Sequence, residues 1–183
     1  MKTRLSGWYP ATCGLVAALA LPALAQAQPL PAGSGYLSLS AGMLTDSNGT
    51  GAEADVTALV TGLGYAVYDG IAIEGRLGFG VQDDELANGT TVELDNLYGV
   101  YLVGHLPLAE MISLHAQGGV ARAERTVSSN GFTRPTEAEG LSWAAGASFH
   151  LSPSLGIGVE YTQVLDESTM DLSGYSATVT LKF

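Results

Sequence analysis

From residue 35 onward, large apolar side chains recur at every second position. The final run is the clearest. Tyr175, Ala177, Val179, Leu181 and Phe183 share one face, with Ser176, Thr178, Thr180 and Lys182 on the other. Residues 155–162 repeat the pattern, setting Leu155, Ile157, Val159 and Tyr161 against Gly156, Gly158, Glu160 and Thr162. Residues 141–150 set Leu141, Trp143 and Phe149 against Ser142, Gly146 and His150, and residues 71–81 set Ile71, Ile73, Leu77, Phe79 and Val81 against Ala72, Glu74, Arg76, Gly78 and Gly80. A two-residue period is that of a strand whose two faces meet different surroundings. Weaker alternation predicts four more strands over about 35–44, 56–67, 96–106 and 112–123, making eight. In 56–67 the phase conflicts, because Val56 and Val60 fall opposite Leu59, Leu63 and Tyr65. No long helical period follows residue 28.

The connections alternate in length, as an up-and-down meander requires. Short turns are predicted at Tyr68-Asp69-Gly70, Pro107–Glu110 and Ser152-Pro153-Ser154, and long loops over about 45–55, 82–95, 124–139 and 166–173. The first three long loops each hold an Asn-Gly pair, at Asn48-Gly49, Asn88-Gly89 and Asn130-Gly131. That dipeptide accepts positive φ and marks hairpin tips.

Eight such strands close into a barrel that is either soluble, with an apolar interior, or membrane-embedded, with an apolar exterior. A soluble barrel turns its polar face to water and fills it with Lys and Glu. Here that face is mostly Gly, Ala, Ser and Thr with isolated charges, and only 14% of the whole chain is charged. Small residues and a few pairable charges suit a narrow lumen, so the large apolar set must face lipid. Aromatics fall near strand ends, as interfacial girdles do: Phe79, Tyr98, Trp143, Tyr161 and Tyr175 toward the long loops, Tyr65, Phe149 and Phe183 toward the short turns. The expected fold is therefore all-β, an eight-stranded antiparallel up-and-down transmembrane barrel over 35–183.

The first residues read as a cleavable signal peptide. Lys2 and Arg4 precede an apolar run that is broken by Pro22 and followed by Ala-x-Ala exits, giving a leader over 1–25 with cleavage after Ala25 or Ala27. The run is too short to cross a bilayer as a helix. Cleavage removes Cys13, leaving no thiol. Removing Lys2 and Arg4 also takes the net charge from −11 to −13. So acidic a chain has no basic stripe to neutralise phosphates, which excludes nucleic acid as a partner.

The leader, the eight alternating strands, the four long loops and the terminal Phe183 together resemble the small outer-membrane β-barrel family, which includes the outer-membrane protein A-type barrel and the opacity-type adhesins. The most family-like stretches are Gly35-Tyr36-Leu37-Ser38-Leu39-Ser40-Ala41-Gly42 and Ser176-Ala177-Thr178-Val179-Thr180-Leu181-Lys182-Phe183. The resemblance implies a cell outer-membrane location with both termini periplasmic and the long loops extracellular. It also implies contact with outer-membrane lipid and lipopolysaccharide, and recognition of Phe183 by the assembly machinery.

No catalysis is expected. His150-Leu151-Ser152 with Glu160 looks superficially like a lipid A deacylase, but it borders the short turn Ser152-Pro153-Ser154, away from the leaflet that holds lipid A. No metal or other cofactor is expected either: His105, His115 and His150 lack a carboxylate or Cys cluster, and Asp83-Asp84-Glu85 has no calcium-loop spacing. Glu74, Arg76, Gln117, Glu160 and Lys182 are read as a polar network inside the lumen, structural in role because eight strands leave room only for side chains. Arg122, Arg125 and Arg134, near the long-loop rim, are candidate contacts for lipopolysaccharide phosphates. The expected function is structural or surface-interacting, through acidic loops and toward an extracellular ligand. A narrow passive channel, a lipid A-modifying enzyme and a soluble periplasmic lipid-binding barrel are the other readings.

Overall fold

The computed structural model describes residues 30–47, 53–82, 84–85, 91–129, 132–167 and 170–183. Eight long strands form the wall: β1 (Gly35–Ser47), β2 (Glu53–Tyr68), β3 (Ile71–Gln82), β4 (Thr91–Ala109), β5 (Ile112–Ser129), β6 (Phe132–His150), β7 (Leu155–Glu167) and β8 (Met170–Lys182). A two-residue strand, Asp84–Glu85, also pairs with β4. Each strand lies antiparallel to its sequence neighbour. Pairing of β1 with β8, from Tyr36↔Lys182 to Asp46↔Leu172, closes the ring. No edge remains, which is what permits a sheet in hydrocarbon.

Much of what reads as long loop is strand. β5 and β6 stay paired out to Ser129↔Phe132, β7 and β8 to Glu167↔Met170, and β1 and β2 to Ser47↔Glu53. The expected loops 124–139 and 166–173 are thus largely hairpin arms. On the other side the β4–β5 turn narrows to Glu110-Met111, with a register irregularity between Pro107 and Ala109. The Asn-Gly tips lie outside the described residues. At the Tyr68-Asp69-Gly70 turn the backbone needs positive φ, and Gly70 supplies it at 74°.

Through the middle of the barrel the sorting is apolar outward. Leu39, Leu63, Leu77, Leu141, Val159 and Val179 are exposed, while Ser38, Ser40, Glu74, Gln117, Ser142 and Glu160 are buried inside. Trp143, Tyr161 and Tyr175 cluster on the outer face, with ring centroids 5.7 and 5.0 Å apart, at the long-hairpin end of this belt.

Beyond that aromatic level the sorting reverses. Leu44, Val56, Leu94, Leu97, Ala123, Ala138, Val164 and Leu172 all point inward and are 7% exposed or less. Most of their outward neighbours are polar, and several pair across strands: Thr45 with Asp55 at 2.8 Å, Thr126 with Asp95 at 2.7 Å, and Asn96 with Glu124 at 3.3 Å. This upper tier has the sidedness of a soluble barrel, because its outer wall meets water rather than lipid. The conflicting phase of β2 follows directly. Val56 and Val60 belong to the inward face that becomes apolar above the belt, whereas Leu59, Leu63 and Tyr65 belong to the outward face of the belt itself.

At the opposite mouth the chain before β1 folds under the barrel. Gly33 N donates to Ala66 O at 2.8 Å, Ala32 N to Asp69 Oδ1 at 2.9 Å and Gly70 N to Leu30 O at 2.9 Å. Leu30 is 3% exposed and joins the buried cluster that contains Ala66, Ala72 and Val103.

Candidate functional site: the plugged lumen

Arg76 projects inward from the middle of β3 and is the hub of the lumen. Its Nε donates to Glu74 Oε1 at 2.5 Å, Nη1 to Glu160 Oε1 at 2.6 Å, and Nη2 to Gln117 Oε1 at 2.8 Å and Glu160 Oε2 at 3.1 Å. The guanidinium fork thereby joins β3, β5 and β7 across the barrel. Both carboxylates carry further donors. The Tyr36 hydroxyl bonds Glu74, Thr162 Oγ1 reaches Glu160 at 3.0 Å, and His115 Nε2 reaches Glu160 at 3.0 Å. An ionised carboxylate only accepts, so His115 carries its proton on Nε2 in that contact. The Tyr101 ring lies 5.4 Å beneath the guanidinium, and its hydroxyl donates to Ser142 Oγ at 3.1 Å.

Glycines make room for these groups. A Cβ on Gly62 would strike Ser38 and Glu74, one on Gly64 the Tyr36 ring, and one on Gly119 the Val100 carbonyl and Tyr101. Above the network lies a small cavity of about 30 Å³, lined by Ser40, Leu44, Val60, Tyr101 and Val164 among others. That holds a water molecule or two. Among the described residues the lumen is filled at three levels: Leu30 at the short-turn mouth, the Arg76 network at mid-height and the apolar tier at the hairpin end.

Four of the five residues read from the sequence as a network meet in space: Glu74, Arg76, Gln117 and Glu160. Lys182 does not join them. It faces inward at the short-turn end, and among the described residues it makes no ion pair. Tyr36, Tyr101, His115 and Thr162 complete the network and were missed. Tyr36 and Tyr101 stand in phase with small residues, a phase that gains meaning once the register sets them beside Gly64 and Gly119. The Arg trio divides. Arg122 faces outward and pairs with Glu137 at 2.5 Å and Glu124 at 3.6 Å, Arg134 is exposed, and Arg125 turns into the lumen and is buried. Its odd-numbered phase on β5, shared with Ala121 and Ala123, sets that direction and removes Arg125 from any outward-facing contact.

The His-x-Ser motif assembles no triad. His150 Nε2 bonds Ser113 Oγ at 2.9 Å, Ser152 Oγ accepts from its own turn at Leu155 N, and Glu160 is held by Arg76 and His115. Among the described residues no three His, Cys, Asp or Glu side chains are placed to hold a metal ion, and Asp83 of the acidic run lies outside them. Phe183 closes the seam by backbone bonds with Gly35 at 2.8 and 2.9 Å, its ring exposed over that glycine.

A closed barrel with an apolar belt outside and a charged, filled lumen is an integral membrane β-barrel. The outer-membrane protein beta-barrel domain matches residues 11–183, and the chain belongs to that family. Membership places it in the outer membrane. Among solved structures it resembles Ail, the attachment invasion locus protein of Yersinia pestis, at 15% identity and TM-score 0.63, covering 83% of this chain and 99% of Ail. Neisserial surface protein A gives 14% identity and TM-score 0.66, with 82% and 99% covered. OprG of Pseudomonas aeruginosa gives 15% and 0.56, with 85% and 98% covered. These likenesses concern the fold. No curated protein sequence matches the chain.

Proposed function

We propose that the protein is a non-conducting outer-membrane scaffold that presents its long hairpins outside the cell as an acidic contact surface, with both termini periplasmic. The filling of the lumen at three levels carries this reading, since a path for ions or solutes needs a continuous aqueous bore. The upper tier supports it too: a barrel that continues past the bilayer with its own apolar core is a rigid mount for loops. Ail was crystallised with a sulfated heparin analogue. Here the arms carry Asp55, Glu93, Glu124, Glu137, Glu139, Asp166, Glu167 and Asp171, which fits a basic partner rather than a polyanion. The dispersal of His150, Ser152 and Glu160 among other partners argues against catalysis by that set. Phe183 is the group offered to the assembly machinery.

Orientation has a direct test in a chain whose sole cysteine, Cys13, precedes the first strand. A Pro135→Cys variant should react with a membrane-impermeant maleimide on intact cells, and Ser154→Cys only after the outer membrane is permeabilised. The reverse pattern would invert the topology. Purified wild-type barrel in planar bilayers should show no sustained single-channel steps; regular steps would favour the narrow-channel reading.

A further inference from the structure

On the outer wall, β3 to β6 bring four residues into one cross-strand row: Leu77↔Tyr98, Tyr98↔Arg122 and Arg122↔Glu139. The row one pleat nearer the short turns runs Gly75↔Val100 and Val100↔Val120. Gly75 faces outward, with no atom within 4 Å of where its Cβ would stand. That bare position lies in an open groove of about 530 Å³ whose floor includes Gly75, Val100 and Val120 and whose mouth is Arg122 and Glu139. The floor lies in the apolar belt, so its occupant is hydrocarbon. The mouth stands beside the girdle residue Tyr98, at the depth where lipid headgroups sit.

The charges at the mouth select the headgroup. Arg122 offers a planar donor fork suited to phosphate. It already touches Glu137 and Glu124, however, and Glu139 faces it across the strand pair. A bare phosphate would meet one cation and three carboxylates. A phosphate capped by an amine presents both signs, its oxygens to Arg122 and its ammonium to Glu137 and Glu139. We infer that this groove binds one acyl chain and the amine-capped phosphate of a phosphorylated glycolipid in the leaflet on the hairpin side. The choice of a glycolipid over a glycerophospholipid rests on the hairpins facing outward as proposed above.

Native mass spectrometry of the folded barrel in detergent tests this, with lipid A, phosphoethanolamine-modified lipid A and dimyristoyl phosphatidylethanolamine as probes. Wild type should retain the modified lipid A about five- to tenfold over the unmodified form, the worth of one or two exposed ion pairs. Glu137→Gln with Glu139→Gln should erase that preference. Arg122→Gln should weaken both lipid A forms, and Gly75→Leu, which fills the groove, should do the same. Each variant is first shown to be folded by its heat-dependent gel shift. Equal retention of modified and unmodified lipid A by wild type would overturn the headgroup assignment while leaving the orientation untouched. Retention of phosphatidylethanolamine as strong as that of modified lipid A would overturn the glycolipid assignment, and the labelling of Pro135→Cys and Ser154→Cys then tells whether the orientation fails with it.

Discussion

Replacing Glu160 with alanine should lower the unfolding free energy of the barrel by about 3–5 kcal/mol and leave its ion conductance near that of wild type. Glu160 accepts from Arg76 at 2.6 and 3.1 Å, from His115 at 3.0 Å and from Thr162 at 3.0 Å, and its side chain is 3% exposed. Its loss leaves Arg76 buried with Glu74 as the remaining carboxylate and strips His115 of its acceptor. The cost comes from these stranded donors rather than from the pair's net worth, which is why removing one partner is harsher than replacing the whole set with apolar groups. Glu160→Gln, which keeps the shape and one acceptor, should fall between. Urea unfolding in lipid vesicles, followed by the folded and unfolded gel bands, measures the change. Unchanged stability together with a large rise in conductance would make the network an ion gate instead of a brace.

Arginine substitutions along β8 should trace where lipid ends. Val179 lies midway between Tyr175 and Phe183 on the exposed face, so Val179→Arg should cost about 2–4 kcal/mol, the price of a cation at the bilayer midplane. Ser173 faces the same way one step beyond Tyr175, where the wall is polar, and Ser173→Arg should stay within about 0.5 kcal/mol. Leu172, 2% exposed and inward, should tolerate arginine no better than Val179 does, because there the apolar side has moved inside. The same unfolding measurement on the three variants decides the matter. Comparable losses at Ser173 and Val179 would mean that the belt extends further than the aromatic level.

The strands were legible in the sequence because lipid on one side and a cramped lumen on the other impose opposite chemistry on alternate residues. Where both walls meet water or protein, that contrast fades. Residues 124–129 and 132–139 therefore read as loop although they are paired strand, and Val56 and Val60 read as out of phase although they lie correctly inside. Glu74, Arg76, Gln117 and Glu160 stood out as charges or amides among small residues. Tyr36 and Tyr101 did not, since a tyrosine on a strand reads first as girdle. Only the register, which sets Tyr36 beside Gly64 and Tyr101 beside Gly119, shows that the polar face has space for a ring. Lys182 had the right face but the wrong height, and alternation carries no information about height.

The seam between β1 and β8 governs the order of events during folding. The first strand finds its second partner only in the last, so the ring cannot close until the whole chain has arrived. Bringing such distant segments together is slow, because loop closure precedes the contacts that reward it. Until then two strands carry unpaired backbone groups that hydrocarbon does not tolerate and that neighbouring chains can capture. A ribosome-released chain lacking Met170–Phe183, the whole of β8, would keep seven strands of native pairing and still have two open edges. For this protein, completion at the C-terminus is the kinetic checkpoint that separates insertion from aggregation.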